Sequence, residues 1–78
     1  MMEIKSKMLK IVKDANKTVV IENDEDFDRP LGEIGLDSLD FMSILFSVQD
    51  KFNINIPDED IDGLNTLNSL IRYIDKNK

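Results

Sequence analysis

Ser38 is the residue in this 78-residue chain whose position most favours chemistry. It follows Asp37, a good helix N-cap, and stands at the predicted start of an apolar helix. The N-terminus of a helix presents unpaired N–H groups and the positive end of the helix dipole, and both favour an anion. A serine at such a position is ordinarily only a capping-region residue. Its hydroxyl is also a suitable point of attachment for a phosphodiester.

Ser38 has no conventional catalytic partner, because the sequence contains neither histidine nor cysteine. That composition removes Ser-His-Asp and Cys-His arrangements, the commonest metal ligand, disulfides and thiol nucleophiles. Residues 1–78 suffice for a single domain, near the lower limit of what one hydrophobic core supports. We therefore expect a compact module that other proteins handle, not an enzyme.

Acidic side chains are concentrated in the middle of the chain. Residues 37–62 carry seven acids and one lysine, so this segment alone equals the total net charge of −6. Such a surface disfavours nucleic acid as a partner and favours basic protein surfaces, although an acidic face kept for solubility would have the same composition.

The N-terminal residues alternate lysine with apolar side chains and contain no signal-peptide core, and no apolar run reaches membrane-spanning length. These patterns predict a cytoplasmic location and no membrane partner. Residues 16–18, Asn-Lys-Thr, match a glycosylation sequon. Without a secretion signal, we interpret that match as chance.

The elements that must position Ser38 are predicted to be helices, because apolar residues recur at helical spacing. The predicted fold is all-α, a small four-helix bundle of three principal helices and one short helix, with a long first loop. The helices are predicted at residues 3–16, from residue 37 or 38 to 52, after Pro57 and up to Gly63, and from a cap at Asn65 or Thr66.

The first loop, residues 17–36, is expected to reach the core at several points. Residues 19–21 are compatible with a short extended segment, whereas residues 23–28 are too charged to be buried as a whole. Gly32 and Gly35 are predicted to allow backbone turns that a side chain would forbid. The predicted apolar anchors of this loop are Phe27, Leu31, Ile34 and Leu36.

The second helix carries two apolar stripes, although a helix on the outside of a small bundle buries only one. One stripe consists of Phe41, Ile44, Leu45, Val48 and Phe52; the other consists of Leu39, Met42 and Phe46 and is continued by Gln49. Either this helix is central in the fold, or the second stripe is a docking surface. Met42 and Phe46 suit adaptable contacts with varied partners.

Three segments of the chain resemble the acyl carrier protein family. Residues 35–40, Gly-Leu-Asp-Ser-Leu-Asp, resemble its attachment motif G-x-D-S-L-D, and residues 50–60 resemble its stretch E-x-F-x-x-x-I-P-D-E-E. Residues 66–74 resemble its last helix, with the pattern I-x-Y-I at residues 71–74. The resemblance runs without a gap from residue 34 to residue 74.

This resemblance implies a carrier function and a cofactor. In the family, a holo-carrier-protein synthase (a phosphopantetheinyl transferase) moves 4′-phosphopantetheine from coenzyme A to the serine that matches Ser38. Acyl intermediates of fatty-acid or related specialised lipid or polyketide biosynthesis are then carried on this arm as thioesters.

The resemblance also implies partners and the surface that binds them. The implied partners are the transferase and acyl-transferring or chain-elongating enzymes with basic docking surfaces, and the carrier is expected to be a monomer. The residues implied to bind partners are Asp37, Leu39, Asp40, Met42, Phe46, Asp50, Asp58, Glu59 and Asp60.

Some positions depart from the family pattern. Ser43 and Gln49 stand where the second helix often has glutamates, and Lys51 reverses the sign of the charge. Phe41 replaces a residue that is usually smaller, and Phe46 is bulkier than the common methionine. A dedicated carrier for few partners or an unusual acyl group fits these changes at least as well as general fatty-acid synthesis.

Three alternative functions remain open from the sequence. Residues 58–63 match the opening D-x-D-x-D-G of a calcium-binding EF-hand loop, but Ser69 stands at the twelfth position and Pro57 interrupts an entering helix, so no metal ligand is assigned. A non-enzymatic helical adaptor would use Ser38 only as a capping residue. An aminoacyl or peptidyl carrier commonly has paired glycines before its serine, and Gly35-Leu36 lacks the pair.

Overall fold

The computed structural model describes residues 2–77, which form helices joined by loops. Four α-helices are present: α1 (Met2–Ala15), α2 (Ser38–Phe52), α3 (Asp58–Ile61) and α4 (Leu67–Asn77). Two short 3₁₀ turns, Asp24–Asp28 and Leu31–Ile34, lie in the first loop, and no strand occurs in this part of the chain. The predicted all-α fold with three principal helices and one short helix is confirmed.

Helix α1 packs one apolar face against α2 and α4. The side chains of Ile4, Met8, Ile11 and Val12 are almost completely buried on this face, as their spacing predicted. The lysines of α1 alternate with these residues and are exposed or half-buried. The apolar stripe of α1 is therefore buried in the core, and the lysines of the helix lie at the surface.

The first loop is held to the core by all four predicted anchors, Phe27, Leu31, Ile34 and Leu36, which are buried. Residues 19–21 form no strand, and only Val19 of the three is buried. Gly35 has φ 98°, a left-handed conformation that favours glycine, as predicted. Gly32 has no positive φ and no close neighbour, so the prediction was wrong for that position.

A carboxylate closes the first 3₁₀ turn of this loop. The side chain of Asp26 accepts hydrogen bonds from the backbone N–H groups of Glu22 (3.1 Å) and Asn23 (3.2 Å). These backbone donors lower the pKa of Asp26, and the nearby Arg29 guanidinium lowers it further. The charged segment thus turns at the surface while Phe27 reaches the core.

Helix α4 begins with a reciprocal pair of hydrogen bonds. The Ser69 N–H donates to the Thr66 hydroxyl at 3.0 Å, and the Thr66 N–H donates to the Ser69 hydroxyl at 3.0 Å. Thr66 is therefore the cap, which decides between the two predicted candidates. The apolar residues of α4 recur at helical spacing and are buried: Leu67, Leu70, Ile71 and Ile74.

Gln49 does not continue the second apolar stripe of α2, formed by Leu39, Met42 and Phe46, contrary to the prediction. Its side chain is half-buried, donates to the Leu45 carbonyl at 3.3 Å and accepts from the Ile56 N–H at 3.0 Å. The reason is that Asn53, the residue after the last helical residue Phe52, has a left-handed backbone conformation. The chain therefore reverses and brings the Ile56 N–H back to the helix. Gln49 supplies the acceptor that this reversed segment needs.

We predict that Gln49→Ala lowers the free energy of unfolding by about 1–2 kcal/mol, because it leaves the N–H of the buried residue Ile56 without its acceptor. Urea denaturation monitored by circular dichroism measures the change. Lys51→Ala is the matched control, since Lys51 is exposed on the same helix and lysine and glutamine have similar helix propensities. Equal losses in the two variants would contradict a structural role for the Gln49 amide.

Candidate functional site

The start of α2 is a reciprocal capping box made by two aspartates. The Asp37 carboxylate accepts from the Asp40 N–H at 2.9 Å, and the Asp40 carboxylate accepts from the Asp37 N–H at 3.2 Å. Asp37 has the extended backbone typical of an N-cap, with φ −92° and ψ −175°. The sequence Asp-Ser-Leu-Asp therefore ends the loop and begins the helix by the same pair of bonds.

Ser38 lies between these two aspartates and its side chain is exposed. Among the described residues, no group forms a hydrogen bond with the Ser38 hydroxyl. Three features of the preceding residues fix the position of Ser38 at the surface: the left-handed turn at Gly35, the buried anchor Leu36 and the cap Asp37. The hydroxyl is consequently accessible at the positive end of a fifteen-residue helix.

An open groove of about 660 Å³ begins at Ser38. One wall comes from the first loop and the other from the α3–α4 connection, and the Leu31 N–H donates to the Asn65 carbonyl at 3.0 Å to join them. The groove is mostly apolar and is lined by Pro30, Leu31, Gly32, Leu36, Asp37, Ser38, Phe41, Leu64 and Asn65. The sequence predicted Leu31, Leu36 and Phe41 as core-facing residues but did not reveal the groove between them.

The second apolar stripe of α2 is exposed. The helix is therefore not buried on both of its apolar faces, which was one of the two possibilities left by the sequence. Leu39, Met42 and Phe46 are 78%, 50% and 70% exposed, respectively, while Ile44, Leu45 and Val48 are buried on the other face. Asp50, four residues after Phe46, is exposed and continues this stripe in place of Gln49. We call Leu39, Met42 and Phe46 the outer stripe. It begins one residue after Ser38.

Comparison with known families agrees with this geometry. Residues 6–74 match the family described as "Phosphopantetheine attachment site". The chain belongs to this family. Phosphopantetheine is therefore the cofactor of this domain, as the sequence motif implied.

Several proteins named acyl carrier protein are similar to this chain. The one from Wolinella succinogenes is 41% identical over 46 residues, which are 59% of this chain and 60% of that protein. The one from Helicobacter pylori is 37% identical over 46 residues, 59% of each chain. A putative mitochondrial acyl carrier protein of Schizosaccharomyces pombe is 40% identical over 45 residues, 58% of this chain and 40% of its own length. The matched stretches thus span about three fifths or less of these relatives.

These relatives confirm the resemblance to acyl carrier proteins. Within residues 2–77, no helix has the length and apolar character needed to cross a membrane.

The acidic residues of α3 differ in their surroundings. Asp58, Glu59 and Asp60 are all exposed, but the Asp60 carboxylate accepts a 2.8 Å hydrogen bond from the Tyr73 hydroxyl of α4. Residues 58–61 are helical, and in the described part of the chain no three potential ligands lie close enough to hold a metal ion.

The bond to Asp60 raises the pKa of Tyr73, chiefly because the phenol donates to a carboxylate, with smaller effects of burial and of nearby negative charge. A raised pKa in the folded state means that the bond stabilises the fold below the ordinary tyrosine pKa. This contribution disappears as the pH rises through the folded-state pKa.

We predict that the absorbance titration of Tyr73 has a higher midpoint in the native protein than in Asp60→Asn. Tyr73 is the only tyrosine and the sequence contains no tryptophan, so the phenolate signal near 295 nm reports this residue alone. Glu59→Gln is the control, because it removes an exposed carboxylate that acts on Tyr73 by charge and forms no hydrogen bond with it. If the two variants shift the midpoint equally, general charge and not the hydrogen bond controls the titration.

Proposed function

We propose that this protein carries acyl groups as thioesters on a 4′-phosphopantetheine arm joined to the Ser38 hydroxyl oxygen. The observation that carries this proposal is the exposed, unbonded hydroxyl of Ser38 at the start of α2, beside an open apolar groove. The family match supports the cofactor, and the geometry supports Ser38 as its attachment residue.

The residues around Ser38 fit a phosphopantetheine group. A phosphodiester at this position would lie at the positive end of α2, which favours its negative charge. The groove that begins at the same residue offers apolar walls from Leu31, Leu36 and Phe41 to a flexible chain. When bound, the group supplies a terminal thiol that holds an acyl cargo as a thioester.

We assign attachment to a separate transferase, because the chain contains no histidine and the two carboxylates that flank Ser38 are engaged in the capping box. The Ser38 oxygen forms a bond to the pantetheine-side phosphorus of coenzyme A. The pyrophosphate P–O bond breaks, and adenosine 3′,5′-bisphosphate leaves. The hydroxyl proton passes to a base of the transferase. The carrier contributes the position and accessibility of its hydroxyl.

Two surfaces next to Ser38 suit partner proteins. The outer stripe offers exposed apolar side chains, and the segment that contains it, residues 37–62, has a net charge of −6. A partner with a basic rim and an apolar centre would match both features. The predicted partner residues Asp50, Asp58 and Glu59 are exposed at this acidic segment, whereas Asp37, Asp40 and Asp60 also form internal hydrogen bonds.

The proposed role is that of a monomeric cytoplasmic carrier that other enzymes act upon and that catalyses nothing itself. Phe41 lines the groove together with Ser38, at a position where the family usually has a smaller residue. This observation favours a dedicated carrier with a restricted cargo over a general carrier of fatty-acid synthesis.

We predict that Ser38→Ala abolishes modification and leaves the helical fold intact. Incubation with coenzyme A and a phosphopantetheinyl transferase should raise the intact mass of the native protein by one phosphopantetheine and should leave the mass of Ser38→Ala unchanged. Ser43→Ala is the control, since Ser43 is another exposed serine of α2 and its variant should be modified normally.

An unmodified native protein, or a modified Ser38→Ala, would refute the proposed attachment residue.

Mass spectrometry of protein from its own host, with the thioester preserved, would identify the cargo. A fatty or polyketide acyl group would support the proposal, and an aminoacyl group would favour the alternative carrier function.

We predict that Phe46→Ala lowers kcat/KM for modification by about ten-fold, because exposed aromatic anchors contribute strongly to binding at interfaces. Added salt should also lower kcat/KM of the native protein, since it screens the clustered carboxylates. Val20→Ala is the control, because Val20 is 63% exposed but lies outside α2. Equal effects of Phe46→Ala and Val20→Ala would exclude the outer stripe as the contact surface.

A further inference from the structure

We propose that Asn16 is a positioning residue for phosphopantetheine attachment and that it acts through the capping box at the start of α2. Asn16 directly follows α1, so its side chain can link the end of one helix to the beginning of another. This inference rests on the proposed attachment at Ser38. It adds to that proposal a residue that lies 22 positions before the serine in the sequence.

The Asn16 amide nitrogen binds two acceptors that flank Ser38. It donates to the Asp40 carboxylate oxygen Oδ2 at 2.9 Å and to the Gly35 carbonyl at 3.2 Å. Gly35 is the left-handed turn before the helix, and Asp40 is one half of the capping box. One side chain therefore holds both the turn that leads to Ser38 and the helical turn that contains it.

The Asn16 side chain is itself fixed at its other end. Its carbonyl oxygen accepts from the Thr18 N–H at 3.0 Å and from the Thr18 hydroxyl at 2.6 Å. The amide of asparagine has two donor hydrogens and an acceptor oxygen with two lone pairs, so these four bonds use its full capacity. The side chain is held in one orientation before it meets Gly35 and Asp40.

The same contacts explain the Asn-Lys-Thr triplet at residues 16–18. Both amide hydrogens of Asn16 and the hydroxyl of Thr18 are engaged in the hydrogen bonds just described. The asparagine and the threonine of the triplet thus form the link between α1 and α2. The hydrogen bonds of this link explain the presence of asparagine and threonine at residues 16 and 18 without reference to glycosylation.

The Asp40 oxygen Oδ2 is the point where the link reaches the capping box. It accepts from the Asn16 amide and from the Asp37 N–H, and hydrogen bonds to a carboxylate are stronger than those between neutral groups. Loss of the Asn16 donor leaves the Asp40 carboxylate with the Asp37 N–H as its one remaining donor among the described residues. The first turn of α2 would then fray more often, and the fraction of molecules that present Ser38 correctly would fall.

The chain contains a matched control for this link. Asn68 in α4 donates to the Asp28 carboxylate at 2.7 Å and so joins two other elements by the same kind of bond. Neither Asn68 nor Asp28 lines the groove beside Ser38. Asn68→Ala removes an asparagine–aspartate bond without touching the start of α2.

The first measurement is amide hydrogen exchange in the unmodified protein, which does not depend on Ser38 chemistry. Asn16→Ala should speed exchange of the Asp40 and Phe41 N–H groups by about ten-fold, since each is bonded to Asp37 in the capped turn. Exchange of the Leu70 N–H in α4 should be unchanged. Asn68→Ala should leave the Asp40 and Phe41 N–H groups at their native rates.

The second measurement is the kinetics of modification by the transferase with coenzyme A. Asn16→Ala should lower kcat/KM by about ten-fold, whereas Asn68→Ala should match the native protein. Asn16→Asp should lower it further, because it keeps the acceptor for Thr18 but sets a second carboxylate against Asp40. Combining Asn16→Asp with Asp40→Asn should restore part of the rate, since the pair again has one donor and one acceptor.

The outcomes separate this inference from the proposed function. Normal modification of the native protein with equal rates for Asn16→Ala and Asn68→Ala would overturn the positioning role and leave the carrier function intact. Absence of any modification in the native protein would overturn the carrier function, while faster exchange at Asp40 in Asn16→Ala would still support the link. Unchanged exchange at Asp40 and Phe41 would overturn the link itself.

Discussion

The reciprocal bonds between Asp37 and Asp40 are the interaction on which the site depends. They satisfy backbone donors that the first turn of a helix would otherwise leave unpaired, and they do so on both sides of Ser38. Because the two aspartates do all of the capping, the serine between them is not needed for it. Its hydroxyl stays exposed, although a serine at a helix start is normally engaged in structure.

The rest of the fold brings three different surfaces to this one point. The anchored first loop and the α3–α4 connection form the groove, and the Leu31–Asn65 backbone bond holds its walls together. The outer face of α2 provides the exposed apolar stripe, because only the inner face of this helix is buried in the core. A module of this size needs no closed cavity. It presents the exposed Ser38, a groove and an exposed apolar stripe side by side.

Helix positions and core residues could be predicted because each depends on local periodicity and capping. Asp37 as N-cap and the burial of Ile44 and Val48 follow from capping and spacing along one helix. The spacing left open whether Phe46 is buried or exposed, and the structure shows that it is exposed. The groove and the roles of Gln49 and Asn16 could not be predicted in the same way. Each depends on a contact between segments distant in sequence, such as Gln49 with Ile56, and periodicity carries no information about such contacts.

The acidic residues illustrate how one property serves both structure and recognition. A carboxylate that accepts hydrogen bonds remains negatively charged, so Asp37, Asp40 and Asp60 contribute to the electrostatic field while they hold backbone or side-chain donors. Their bonded oxygens are less free to meet a partner directly. We infer that basic partners contact Asp50, Asp58 and Glu59 and sense the other three through the field. A negative charge near Ser38 is thus retained even where the carboxylates are occupied in maintaining the helix start.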